Sequence, residues 1–125
     1  MTNLSAKYFR QYLLKIYPCR VEFSLKVTHK RCKTRLGSYN RYSHNINIHD
    51  KQLDDEYCKE VAIHEYAHHL HHTEPGLFTN DRRKSDRTHG CHFWIIYTFL
   101  MQQAYQKGLF SYKYMLPLYN KLKPN

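Results

Sequence analysis

The chain has 125 residues, 42% of them hydrophobic and 15% aromatic, which is material for one folded domain over residues 1–125 and excludes a disordered tail. Its longest apolar stretches, such as Phe93 to Met101, fall far short of the roughly 20 residues that cross a bilayer, so no membrane-spanning helix is expected. The formal net charge of +10 divides into +8 over residues 1–35, −4 over 36–75 and +6 over 76–125, two basic flanks around an acidic middle that favour nucleic acid or another polyanion as partner.

The opening Met1-Thr2-Asn3-Leu4-Ser5-Ala6-Lys7 lacks the charged leader and apolar block of a secretory signal, and a cytoplasmic, intracellular location is expected. Leu4, Tyr8, Tyr12, Leu13 and Ile16 recur at helical spacing over residues 2–17, predicting an amphipathic helix ended by Pro18. Val21, Phe23, Leu25 and Val27 alternate with Glu22, Ser24 and Lys26, the period of a strand with one buried face. A second strand is expected around Cys32 to Tyr39, interrupted by Gly37, and a short third one at Ile46 and Ile48.

Asp54 and Asp55 are suitable caps for a second helix running to about His72, where Glu74-Pro75-Gly76 turns the chain. Thr73 to Thr88 has no periodicity and reads as an exposed basic loop. From His89 to about Gln106 the positions Phe93, Ile96, Tyr97, Leu100, Met101 and Ala104 describe a third helix, apolar enough to be largely buried. Cys19, Cys32, Cys58 and Cys91 form no Cys-x-x-Cys pair and read as reduced thiols.

The second helix carries His64-Glu65-Tyr66-Ala67-His68, a His-Glu-x-x-His motif. Residues four apart lie about 40° apart around a helix and about 6 Å along it, so both imidazoles can reach one ion. Glu65, about 100° away, can act on a water at that ion without ligating it. Ala62, Ile63, Tyr66, Ala67 and Leu70 are expected on the opposite side of the helix. His69, His71 and His72 read as surface histidines.

A catalytic zinc takes three protein ligands and leaves a fourth position open. A metzincin extension would place Gly at 71 and His at 74, where the chain has His71 and Glu74. A thermolysin-like site would need a later Glu ligand, and none follows Glu74. The remaining donors are His89 and His92, then Asp81 or Asp86. His92 also reads as a polar group on the first turn of the third helix, and Gly90 would let the backbone pass close to the metal.

His64-Glu65-x-x-His68 followed by His89-Gly90-x-x-Phe93 resembles the SprT-like zinc metallopeptidase family. Leu36-Gly37-Ser38-Tyr39 and Ile46-Asn47-Ile48-His49 resemble the strand pair ahead of that family's zinc helix, and the likeness extends over roughly residues 20 to 100. It implies a minimal zincin-like α+β domain with an N-terminal helix, a small, mainly antiparallel three-stranded sheet, the His-Glu-x-x-His helix and a buried C-terminal helix. It further implies Zn2+ held by His64, His68 and His89, Glu65 as the catalytic residue, and hydrolysis of protein or peptide substrates, DNA-associated proteins among them. The segment between His68 and His89 is longer and more basic than that family's, and no Cys-rich zinc ribbon follows the core.

In such a mechanism Glu65 takes the proton of the attacking water, and Tyr66, Tyr39, Tyr42 or His92 steadies the oxyanion. The Ile46 to Ile48 strand is the expected edge for strand addition by substrate. The competing reading is a non-catalytic nucleic-acid- or protein-binding module that keeps a structural zinc. Its contacts would be Arg82, Arg83 and Lys84 on phosphate, with the aromatic residues of Lys7-Tyr8-Phe9-Arg10 and Tyr112-Lys113-Tyr114 stacking on single-stranded DNA.

Overall fold

The computed structural model describes residues 2–30, 35–51, 53–74, 76–77 and 89–110. Helix α1 spans Ala6–Ile16, with the Ser5 side chain accepting from the Tyr8 N–H at its start and an extended Tyr17 before Pro18 at its end. Its buried stripe is Phe9, Tyr12, Leu13 and Ile16, the i, i+3, i+4, i+7 set of a single face. Phe9 therefore takes the inward place expected for Tyr8, which sits partly exposed and stacks on Tyr12.

Strands β1 (Ser24–Thr28), β2 (Gly37–Asn40) and β3 (Asn45–His49) form one sheet in the order β1-β3-β2. β2 and β3 are the antiparallel arms of a hairpin, while β1 runs parallel to β3. The sheet is thus mixed, where a mainly antiparallel one was expected. The reason lies in β3, whose Ile46 and Ile48 are fully buried, so this strand takes the centre and is paired on both sides. The hairpin turn brings His44 to a positive φ of 57° and uses the Asn40 carboxamide oxygen to accept from the Tyr42 and Ser43 N–H groups.

Helix α2 (Asp55–Thr73) starts on Asp54, whose carboxylate accepts from the Tyr57 N–H, with Asp55 and Glu56 in the first turn where the helix dipole favours negative charge. It packs against β2 and β3 on one flank and against α1 and α3 on others. Burial consequently reaches almost all round it: Cys58, Ala62, Ile63, Tyr66, Ala67 and Leu70 are joined by Val61, Glu65, His69 and His71. The expected division into a polar histidine face and an apolar back does not hold, because α2 is the central helix of the domain. Helix α3 (Cys91–Gln106) buries Phe93, Ile96, Tyr97, Leu100, Met101 and Ala104 and leaves Ile95 and Tyr105 exposed, so it is buried along one face. The fold is α+β, three helices with a small three-stranded sheet. Among the described residues no helix is long and apolar enough to cross a membrane, and Cys19, Cys58 and Cys91 are free thiols. Most of the expected basic loop, Cys32 and the chain from residue 111 onward lie outside the described residues.

Candidate metal centre

On α2, His64 and His68 project from the same side one turn apart, their ring centroids 5.1 Å from each other. His89, two residues ahead of α3, brings its ring to 5.3 Å from His64 and 4.7 Å from His68. One nitrogen from each ring lies within 4.8 Å of the other two. Phe93, fully buried on the first turn of α3, stacks on His68 at 4.3 Å and touches His89 at 5.0 Å and His64 at 5.1 Å. This single ring limits the freedom of all three imidazoles, and explains physically why an apolar residue stands four positions after His89.

Burial, with the neighbouring His89 second, pulls the His64 imidazole down to about 4, and burial beside His64, His89 and His71 pulls His68 down to about 3. Both are neutral near pH 7 and keep a lone pair. Neutral imidazoles suit zinc, which in tetrahedral ligation at about 2.0–2.1 Å would draw the three nitrogens from their present spacing to about 3.3 Å apart.

Glu65 is only 6% exposed, and burial pushes its carboxyl up to about 7, opposed in part by Arg35. A carboxyl poised there exchanges protons easily at neutral pH. The backbone of β2 comes close enough that a Cβ on Gly37 would lie 2.7 Å from Val61 Cγ1, 3.0 Å from the Asn47 carbonyl oxygen and 3.2 Å from Glu65 Cγ. Gly37, read in the sequence as an interruption of a strand, is what lets the sheet settle onto the Glu65 side of α2. Gly90, in contrast, has φ −80° and ψ −172°, open to any residue.

The histidines and Glu65 face a cleft of about 660 Å³. One wall is β2 with Arg35, Leu36 and Arg41, and the other carries Tyr57, Glu60 and Tyr97 from α2 and α3. Tyr57 and Tyr97 line the cleft as well, and neither was read as a site residue in the sequence. Tyr97 is hydrogen-bonded to Glu60, and burial raises its hydroxyl well above the ordinary tyrosine range. Tyr39 lines the same cleft, but its hydroxyl is held between His44 Nδ1 (2.9 Å) and His69 Nδ1 (2.8 Å). Tyr66 donates to the Tyr17 carbonyl from the core, and Tyr42 projects from the hairpin turn, 80% exposed, under the Arg41 guanidinium.

His69 and His71 are buried rather than on the surface, while His72 is exposed. His69 is fully enclosed because both ring nitrogens are engaged, Nε2 with the Val21 carbonyl oxygen at 2.8 Å and Nδ1 with Tyr39. His92 bonds the Leu77 carbonyl oxygen through Nε2 at 2.8 Å and packs 4.8 Å from His71, outside the three-histidine group. Phe9 is enclosed in the core, which leaves it no face for a nucleobase. Asp81, Asp86, Arg82, Arg83, Lys84, Tyr112 and Tyr114 lie outside the described residues. No protein-family model, curated protein or solved structure matches this chain.

Proposed function

We propose that the chain is a zinc-dependent peptidase of the SprT-like type, with His64, His68 and His89 as metal ligands and Glu65 as general base. The observation that carries this reading is the convergence of three imidazole nitrogens within 4.8 Å beside a buried carboxyl, at the floor of an open cleft. When bound, zinc supplies Lewis-acid polarisation of the scissile carbonyl and acidifies a water molecule. Glu65 accepts that water's proton as the new C–O bond forms and delivers it to the departing amine nitrogen as the C–N bond breaks. The Tyr57 hydroxyl, on the cleft wall, is the donor assigned to the developing oxyanion, since the Tyr97 hydroxyl is engaged with Glu60.

Substrate adds to β2. The expected edge, Ile46 to Ile48, is central and fully paired, whereas β2 pairs only with β3 among the described residues. The His49 N–H donates to the Leu36 carbonyl, so by the alternation of an antiparallel ladder Leu36, Ser38 and Asn40 turn their main-chain groups to β3. Gly37 and Tyr39 turn theirs to the open edge, where an extended peptide can bond them. The basic surplus of the chain and the likeness to SprT-like enzymes support DNA-associated proteins as substrates.

Metal analysis together with a casein cleavage assay, run with and without single-stranded DNA, tests the proposal. About one zinc per chain is expected, with cleavage in the wild type and none in Glu65→Gln, which keeps its metal. Retained proteolysis in Glu65→Gln would discard the mechanism, and a protein purified without bound zinc and unable to take it up would discard the site.

A further inference from the structure

The cleft is charged unevenly along its strand wall. Arg35 precedes β2 and Arg41 follows it, and both line the cleft. By the two-residue period of extended chain, positions 35, 37 and 39 share one side, and Arg41, in the turn that follows β2, lines the same cleft. For two of these the side is fixed by contact: Gly37 lies against Val61 and Glu65, and Tyr39 reaches His69, all on α2. Arg35 acts electrostatically on Glu65, which puts its charge on that side as well. The Arg41 guanidinium lies 5.0 Å from the Tyr42 ring and bonds its hydroxyl at 2.8 Å. The acidic groups opposite are Glu65, enclosed beneath the cleft, and Glu60, bonded to Tyr97. Among the described residues the strand wall therefore presents two cations, one at each end of the stretch that runs beside the three-histidine group.

We propose that Arg35 and Arg41 make this cleft selective for extended peptides with acidic side chains on both sides of the scissile bond. The inference rests on the peptidase reading above and adds the substrate class. A peptide paired with Gly37 and Tyr39 has its central residues beside Glu65 and His68. Residues directly opposite on paired strands share a face, so the peptide side chain across from Arg35 emerges on the side of that arginine, and the peptide running past the far end of β2 comes level with Arg41 in the turn. These two peptide positions stand about three residues before and about three after the residue opposite Ser38. Charge pairs of this cross-strand kind change affinity by up to about fivefold each, and those near solvent weaken as salt screens them.

The test uses the zinc-loaded full chain on a mixed library of peptides, with cut sites read by mass spectrometry. Asp and Glu are expected to be enriched on both sides of the cut, and Arg35→Ala and Arg41→Ala are each expected to erase the enrichment on one side only. Because Arg35 also acts on Glu65, the side-specific ratio of acidic to neutral products is the readout, not the overall rate. In parallel, fluorescein-labelled peptides carrying Glu or Gln at the two flanking positions are titrated into Glu65→Gln protein and followed by anisotropy. Each Glu should tighten binding about two- to fivefold, with the gain lost in 0.5 M salt and lost site by site in the arginine variants.

Cleavage without acidic enrichment, or equal binding of Glu and Gln peptides, overturns the inference while leaving the peptidase reading intact. Absence of any cleavage by the zinc-loaded wild type overturns the peptidase reading, and the binding arm still decides whether the cleft prefers acidic chains. If a single-stranded oligonucleotide binds in an arginine-dependent way and the acidic peptides do not, the two arginines serve nucleic acid and the inference fails.

Discussion

Replacing Glu65 by Gln separates catalysis from stability, because the carboxyl is held where ionisation is unfavourable. Its folded value of about 7, against 4.5 for a free glutamate, means that between these pH values the folded metal-free protein binds more protons than the unfolded chain. Stability accordingly falls as pH rises through that window. The full cost above pH 7 is roughly 3 kcal/mol, a large share of the 5–15 kcal/mol that holds a typical domain together. His64 and His68 have the opposite sign: their depressed values make stability fall as pH drops from about 6.5 towards 4 and 3. Those terms are common to wild type and variant and cancel in the difference. Glu65→Gln is isosteric and uncharged, so chelator-treated variant and wild type should have similar stability at pH 4 and diverge to roughly 3 kcal/mol in favour of the variant at pH 8. Urea denaturation followed by circular dichroism at intervals from pH 4 to 8.5 measures this. A difference independent of pH, or a variant less stable at pH 8, would refute the claim that burial of this carboxyl is what raises it.

Other substitutions probe the scaffold of the site. His89→Ala should lose the metal while His92→Ala, which removes a bond to the Leu77 carbonyl from outside the three-histidine group, keeps it; zinc stoichiometry after gel filtration distinguishes them, and the reverse result would make His92 the third ligand. Gly37→Ala forces a Cβ to within 2.7 Å of Val61 and 3.2 Å of Glu65 Cγ, and should cost about 1–3 kcal/mol in urea melts together with most turnover. Tyr39→Phe strands His69 Nδ1 in the interior and should cost about 1–3 kcal/mol with zinc content unchanged; an unperturbed melting curve would show that this hydroxyl is not what satisfies His69.

The local elements of this protein follow from local chemistry. The Asp54 cap, the alternation of β3 and the apolar spacing of α3 each depend on residues a few positions apart, and the structure places those elements close to where the pattern does. The pairing of His64 with His68 belongs to the same class, since one helical turn brings them together whatever surrounds the helix. What surrounds the helix came from elsewhere. Whether β3 lies at the edge or the centre depends on β1 pairing with it across about twenty residues of chain, and periodicity carries no record of a partner. The same blindness hid the burial of His69 and His71, because a histidine is admitted to the interior only when particular distant groups, here the Val21 carbonyl and the Tyr39 hydroxyl for His69, meet its ring. Gly37 shows the limit most plainly: in sequence it is a weak point in a strand, and only its approach to Val61 and Glu65 reveals that a missing side chain lets the sheet lie against α2. Composition and spacing thus decided which groups could meet a metal, while long-range packing decided which of them face the cleft and which edge of the sheet is left unpaired among the described residues.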